Sequence, residues 1–136
     1  PIIKEELIKD FIRGYFEGDG GITKWKRINT FNYCISFCAT KQFCERLMFY
    51  ISKFSNIDIK YMKIYKCKGI FSLRFQTQTE VLKFLNWRYD QNNVFFMKRK
   101  YEKYLEMKEN YKIYPGRNEN GNFIKNYKIN RWLINK

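Results

Sequence analysis

The run Ile12-Arg13-Gly14-Tyr15-Phe16-Glu17-Gly18-Asp19-Gly20 closes a helical pattern with two carboxylates and three glycines. Across residues 4–18, Leu7, Phe11, Gly14 and Gly18 recur at helical spacing, and a second stripe runs through Ile8, Ile12, Tyr15 and Phe16. An apolar surface this wide predicts burial on two sides. Asp19 falls at the helix C-terminus, where the macrodipole is negative and disfavours a carboxylate. A divalent cation reverses that penalty, because hard cations such as Mg2+ take carboxylate and carbonyl oxygens as ligands. The plain alternative is a turn aspartate before Gly20-Gly21, the pair expected to end the helix. Gly14 and Gly18 each cost about 1 kcal/mol in a helix interior relative to alanine. One turn apart, they allow a second backbone to approach closely.

The surrounding chain must hold that helix end and offer it a substrate. Its 136 residues are enough for one compact domain with a single core. Lys and Arg number 27 against 13 Asp and Glu, a net charge of +14, interleaved with 20% aromatic residues. Such a field attracts polyanions, and nucleic acid fits better than an anionic membrane surface. No apolar run is long enough to span a bilayer. The first residues are mixed and charged and do not read as a signal peptide, so an intracellular setting, cytoplasm or a DNA-containing organelle, is expected. The start at Pro1 suggests one domain of a longer polypeptide, or a processed one. The absence of histidine excludes His-based catalysis and His-containing metal sites. Cys34 and Cys38, four residues apart on a strand, are separated by roughly 13 Å and cannot share a zinc ion; all four cysteines are expected as reduced thiols.

After the first helix the pattern alternates. Residues 21–29 set Thr23, Trp25, Arg27 and Asn29 against Ile22 and Ile28; Asn32 to Ala39 set Tyr33, Ile35, Phe37 and Ala39 against Asn32, Cys34, Ser36 and Cys38. Thr40 caps a helix over about 41–54, and Asn56 marks a loop. Residues 58–66 and 70–76 form a second hairpin around Lys68-Gly69. Thr77-Gln78-Thr79-Glu80 has capping-box spacing and opens a helix to about Tyr89. Asp90 to Asn93 is a loop, and a last helix covers about 95–109. The order α-ββ-α-ββ-α-α predicts an α+β domain over residues 1–109, a four-stranded antiparallel sheet with helices on one face. The bare face carries Thr23, Trp25, Arg27, Asn29, Asn32, Ser36, Tyr61, Lys63, Ser72, Arg74 and Gln76, side chains that read base edges and phosphates. Residues 110–136 form a basic C-terminal extension with turn signals at Pro115-Gly116 and Asn120-Gly121, and a short helix at 129–134.

The segment from Ile12 to Gly20 resembles the LAGLIDADG motif of homing endonucleases. Gly14, Gly18, Asp19 and Gly20 match; Tyr15 and Phe16 fill hydrophobic positions; Glu17 stands for the usual first aspartate, and Arg13 departs from the small residue of the family name. The αββαββα order that follows is similar to the family's own and covers residues 4–109. The resemblance implies a magnesium-dependent, site-specific double-strand DNA endonuclease, encoded by an intron or intein. It implies Asp19 as metal ligand, assisted by the Gly18 carbonyl, and Glu17 as a support of the helix end. It also implies two lysines around the attacking water: Lys41 after the second strand, and Lys100 in Met97-Lys98-Arg99-Lys100, with Lys98 if the register is shifted. One motif copy implies a homodimer through Leu7, Phe11, Gly14 and Gly18, or a second motif-bearing half in a longer chain. The alternatives are a DNA-binding or intron-RNA-splicing (maturase) relative that lost cleavage, and an unrelated RNA-binding module that stacks bases on exposed aromatics.

Overall fold

The computed structural model describes residues 4–27, 31–89 and 96–113, with side chains as far as Asn110. Asn29, the loop at 90–93 and residues 114–136 of the C-terminal extension, with the short helix at 129–134, lie outside the described residues. Helix α1 spans Glu5–Asp19, and strands β1 (Gly20–Lys26) and β2 (Phe31–Ala39) follow. Helix α2 spans Lys41–Ser55, strands β3 and β4 Met62–Cys67 and Ile70–Phe75, and helices α3 and α4 Gln78–Tyr89 and Lys98–Ile113.

Local chemistry sets most boundaries. The Thr40 hydroxyl accepts the Phe43 N–H at 3.2 Å and caps α2, which ends at Asn56 in the left-handed region, φ 61°. Lys68 and Gly69 both have positive φ, 37° and 84°, as a tight hairpin turn requires. Ile59–Tyr61 form a single 3-10 turn before β3, where the alternation predicts strand; the Asp58 carboxylate accepts the Lys60 N–H and starts that turn. The capping box does not form. Glu80 is buried and engages Thr79 and Lys83 instead.

The sheet order is β1-β2-β4-β3, antiparallel throughout. Its register lines up Ile22, Ile35, Phe75 and Met62 in one row facing the helices, all buried. Phe84 of α3 meets the rings of Phe16, Phe37 and Phe75 at centroid distances of 5.1, 6.0 and 5.5 Å, so helix α1, both central strands and α3 share one aromatic core. The Gln78 side chain accepts the Tyr33 N–H at 2.8 Å and donates to the Tyr33 carbonyl at 2.9 Å, extending the ladder where β4 has ended. Helix α4 is tied down by Glu106, which accepts from Tyr33 Oη and Lys24 Nζ at 2.7 Å each, and by Lys103, whose ammonium donates to the Ile22 carbonyl at 2.8 Å.

The two stripes of α1 take different fates. Ile12 and Phe16 enter the core, while Leu7 and Phe11 stand 58% and 53% exposed in line with Gly14 and Gly18. Gly20 terminates α1 with φ −76°, an extended rather than a left-handed residue. Its glycine is required by close approach: a Cβ there would lie 2.5 Å from the Phe16 ring and 2.7 Å from the Phe16 carbonyl oxygen.

Candidate active site and nucleic-acid interface

The C-terminal turn of α1 is held by a buried polar network. The Glu17 carboxylate, 3% exposed, accepts from Tyr89 Oη and from the Met97 N–H, both at 2.7 Å, and pairs with Arg88 Nη2 at 3.0 Å. Arg88 Nε donates to the Arg13 carbonyl at 3.1 Å. Glu17 thus locks α1 to α3 and to the start of α4, the supporting role its position in the motif implies. Sequence reading missed Arg88, Tyr89 and the Met97 amide as its partners. A signal existed for Arg88, which continues the buried face of Val81, Phe84 and Leu85.

Lys100 reaches the same helix end. Its ammonium, 4% exposed, donates to the Phe16 carbonyl at 2.6 Å and the Glu17 carbonyl at 2.7 Å. A buried cation on carbonyls of the last helical turn neutralises the negative end of the dipole. Burial pushes the Lys100 pKa below the usual lysine range, against the opposing attraction of Glu17 and Asp19. Lys98, the alternative register, is exposed and pairs along its own helix with Glu102 at 3.8 Å. Lys41 opens α2 on the surface and makes no hydrogen bond or ion pair to Asp19 or Lys100 among the described residues.

Asp19 is exposed and has no hydrogen-bond or ion-pair partner among the described residues. Its charge is felt by Tyr15, whose phenol burial raises above its ordinary pKa and Asp19 raises further. With Lys100 donating to the Phe16 and Glu17 carbonyls, the exposed residues of this turn are Gly18 and Asp19, which carry a carbonyl and a carboxylate. That hard-oxygen donor set suits Mg2+, which keeps several waters and takes few protein ligands. No group of three acidic or thiol side chains that could enclose a metal exists among the described residues. A Cβ at Gly14 or Gly18 would meet nothing within 4 Å. Whatever demands glycine on this face is therefore not found within the described chain.

The opposite face of the sheet is open. Thr23, Trp25, Arg27, Lys63, Arg74 and Gln76 are exposed; Asn32, Ser36 and Tyr61 are half-buried. One row across all four strands reads Gly21, Ser36, Arg74, Lys63. One expectation fails here. Ser72 is only 1% exposed, because the Arg74 side chain folds over it and donates from Nε to its hydroxyl at 3.0 Å. Cys34 is also buried, and burial raises its thiol pKa. All four cysteines are free thiols. No helix among the described residues is long and apolar enough to cross a membrane.

Many solved structures similar to this chain are LAGLIDADG homing endonucleases. I-AabMI bound to uncleaved DNA superposes with a TM-score of 0.58 at 14% identity, over 83% of this chain and 40% of that one. The archaeal intron-encoded homing endonuclease I-Vdi141I complexed with DNA gives 0.57 at 16%, over 97% and 84%. The chain has the LAGLIDADG homing-endonuclease fold. The group I intron-encoded I-CeuI, also complexed with DNA, matches at 0.57 and 13%, over 80% of this chain. This chain spans 40% of the length of I-AabMI and 56% of that of I-CeuI. No family model matches the sequence, and no curated protein is significantly similar to it.

Proposed function

We propose that the chain is a site-specific double-strand DNA endonuclease that works as a symmetric homodimer. The observation that carries this reading is the end of α1, where an exposed, unpartnered Asp19 carboxylate sits on a rigidly anchored turn beside the open Leu7, Phe11, Gly14 and Gly18 face. A second α1 packed on that face brings a second Asp19 alongside the first, one for each DNA strand. Asp19 and the Gly18 carbonyl would hold Mg2+ there together with phosphate oxygens of the substrate. The ion would supply an activated water and stabilise the leaving oxygen of an in-line displacement. The Glu17 network fixes the turn so that Asp19 is presented in one geometry. Lys100 holds the preceding carbonyls and adds fixed positive charge next to the reacting phosphate. Lys41 serves as a second, exposed cation toward the same phosphate. The polar sheet face lies along the DNA groove, and the excess of lysine and arginine supplies the electrostatic affinity.

The test uses the whole chain and Asp19→Asn with duplex DNA from the genomic region flanking its own gene, with and without Mg2+. Cutting by the wild type only when Mg2+ is present, with binding but no cutting by Asp19→Asn, is the expected result. Binding without cutting by the wild type in every divalent cation overturns the endonuclease reading in favour of a binding-only or splicing role. Preference for structured RNA over duplex DNA overturns both DNA readings.

A further inference from the structure

Among the described cations on the open sheet face, Arg74 alone is held in place. Its Nε donates to Ser72 Oγ at 3.0 Å, its Nη2 lies 3.7 Å from Cys67 Sγ, and its guanidinium carbon stands 5.1 Å from the centre of the Tyr65 ring. Arg27 and Lys63 on the same face have no hydrogen-bond or ion-pair partner among the described residues. Arg74 sits on β4, an interior strand with β2 on one side and β3 on the other. Its row neighbours toward β1 are the half-buried Ser36 and the side-chain-free Gly21.

A phosphate contact needs only a point charge and tolerates a mobile side chain, as lysine shows. A fixed, planar fork at the centre of a sheet is the requirement for bidentate pairing with the O6 and N7 atoms of guanine in the major groove. With Nε donating to Ser72 and one Nη2 hydrogen to Cys67, Nη1 and the second Nη2 hydrogen keep donors for a bidentate partner. Holding the side chain before binding also removes much of the ordering cost that a free arginine incurs on contact.

Resting on the reading that this face lies on DNA, we infer that Arg74 reads one guanine in each half of the target. We infer too that buried Ser72 is a positioning residue for that specificity, although it cannot itself touch the DNA. Ser72 acts by fixing the rotation of the guanidinium plane. Tyr65 supports the same plane by cation–π attraction.

Binding selection from a duplex library with a randomised core, read by sequencing, tests this with the full-length chain and three variants. The wild type should select a motif with a guanine at one symmetric pair of positions. Arg74→Lys keeps the charge and should retain overall affinity while losing roughly ten- to hundredfold of the preference at that pair alone. Arg74→Ala should lose the same preference and some affinity. Ser72→Ala, checked for unchanged thermal unfolding, should weaken the preference at the same pair and leave every other position unaltered, which a purely structural role would not do. A guanine preference that survives Arg74→Lys, or a uniform loss of affinity with a shallower salt dependence in Arg74→Ala, overturns the inference alone. A wild type that selects no sequence overturns it together with the DNA-binding reading.

Discussion

Replacing Gly14 with alanine should move two measurements in opposite directions. The added Cβ meets nothing within 4 Å, so the isolated chain incurs no steric cost. Gly14 lies in the interior of α1, where alanine is more favourable than glycine by about 0.8–1.0 kcal/mol. Urea unfolding at dilutions where the chain is monomeric should therefore show a gain of about that size. If α1 meets a second α1 across Leu7, Phe11, Gly14 and Gly18, each dimer gains two methyl groups at a backbone-to-backbone crossing. Overpacking of that kind costs about 1–3 kcal/mol, a roughly five- to 150-fold weaker association. Sedimentation velocity over a concentration series measures the association. A more stable monomer with unchanged self-association refutes the assignment of this face to the dimer. A destabilised monomer refutes the premise that the face is open, and a wild type that stays monomeric on and off DNA refutes the homodimer.

Two further predictions concern the buried carboxylate networks that hold the helices in place. Glu17→Ala strips a buried carboxylate from Arg88 and leaves the Tyr89 hydroxyl and the Met97 N–H without their acceptor; a loss of about 3–5 kcal/mol is expected in chemical denaturation, with a smaller loss for Glu17→Gln. A loss below about 1 kcal/mol for Glu17→Ala would show that the network does not anchor α1. Burial, reinforced by a carboxylate acceptor, raises the phenol pKa of Tyr89 (through Glu17) and Tyr33 (through Glu106) above the ordinary value. Their contribution is complete below pH of about 10, where the unfolded phenols are still protonated, and is lost as pH rises above that value. Stability followed from pH 8 to 11.5 should fall along an alkaline limb that Tyr89→Phe makes shallower; an identical limb in that variant would exclude Tyr89 as a source.

Periodicity in the sequence was sufficient to identify every helix and strand of the described chain, because each buries one face and its spacing follows from helix or strand geometry. It also separated the two stripes of α1, and the motif placed Asp19 at the helix end and Glu17 in a supporting role. The boundaries that slipped are those where local competition decides: the 3-10 turn at Ile59–Tyr61, the unformed capping box at Thr77, and Gly20, which is glycine for lack of space beside Phe16 rather than for a positive φ.

Other features exist only through contacts far apart in the chain. The order β1-β2-β4-β3 sets Arg74 between Ser36 and Lys63, and no pattern within β4 alone specifies those neighbours. Lys98 and Lys100 are two cations in one basic run. The packing of α4 on the end of α1 turns Lys100 onto the Phe16 and Glu17 carbonyls and leaves Lys98 in solvent. Ser72 alternates outward as the strand pattern requires, yet Arg74 covers it, because a long side chain two residues away on the same face can reach back. Asp19 and the open glycine face could thus be read from residue types and spacing. The rigid seat beneath them required Tyr89, Met97 and Lys100, 72 to 84 positions away from their partners, to converge, which only the tertiary fold accomplishes.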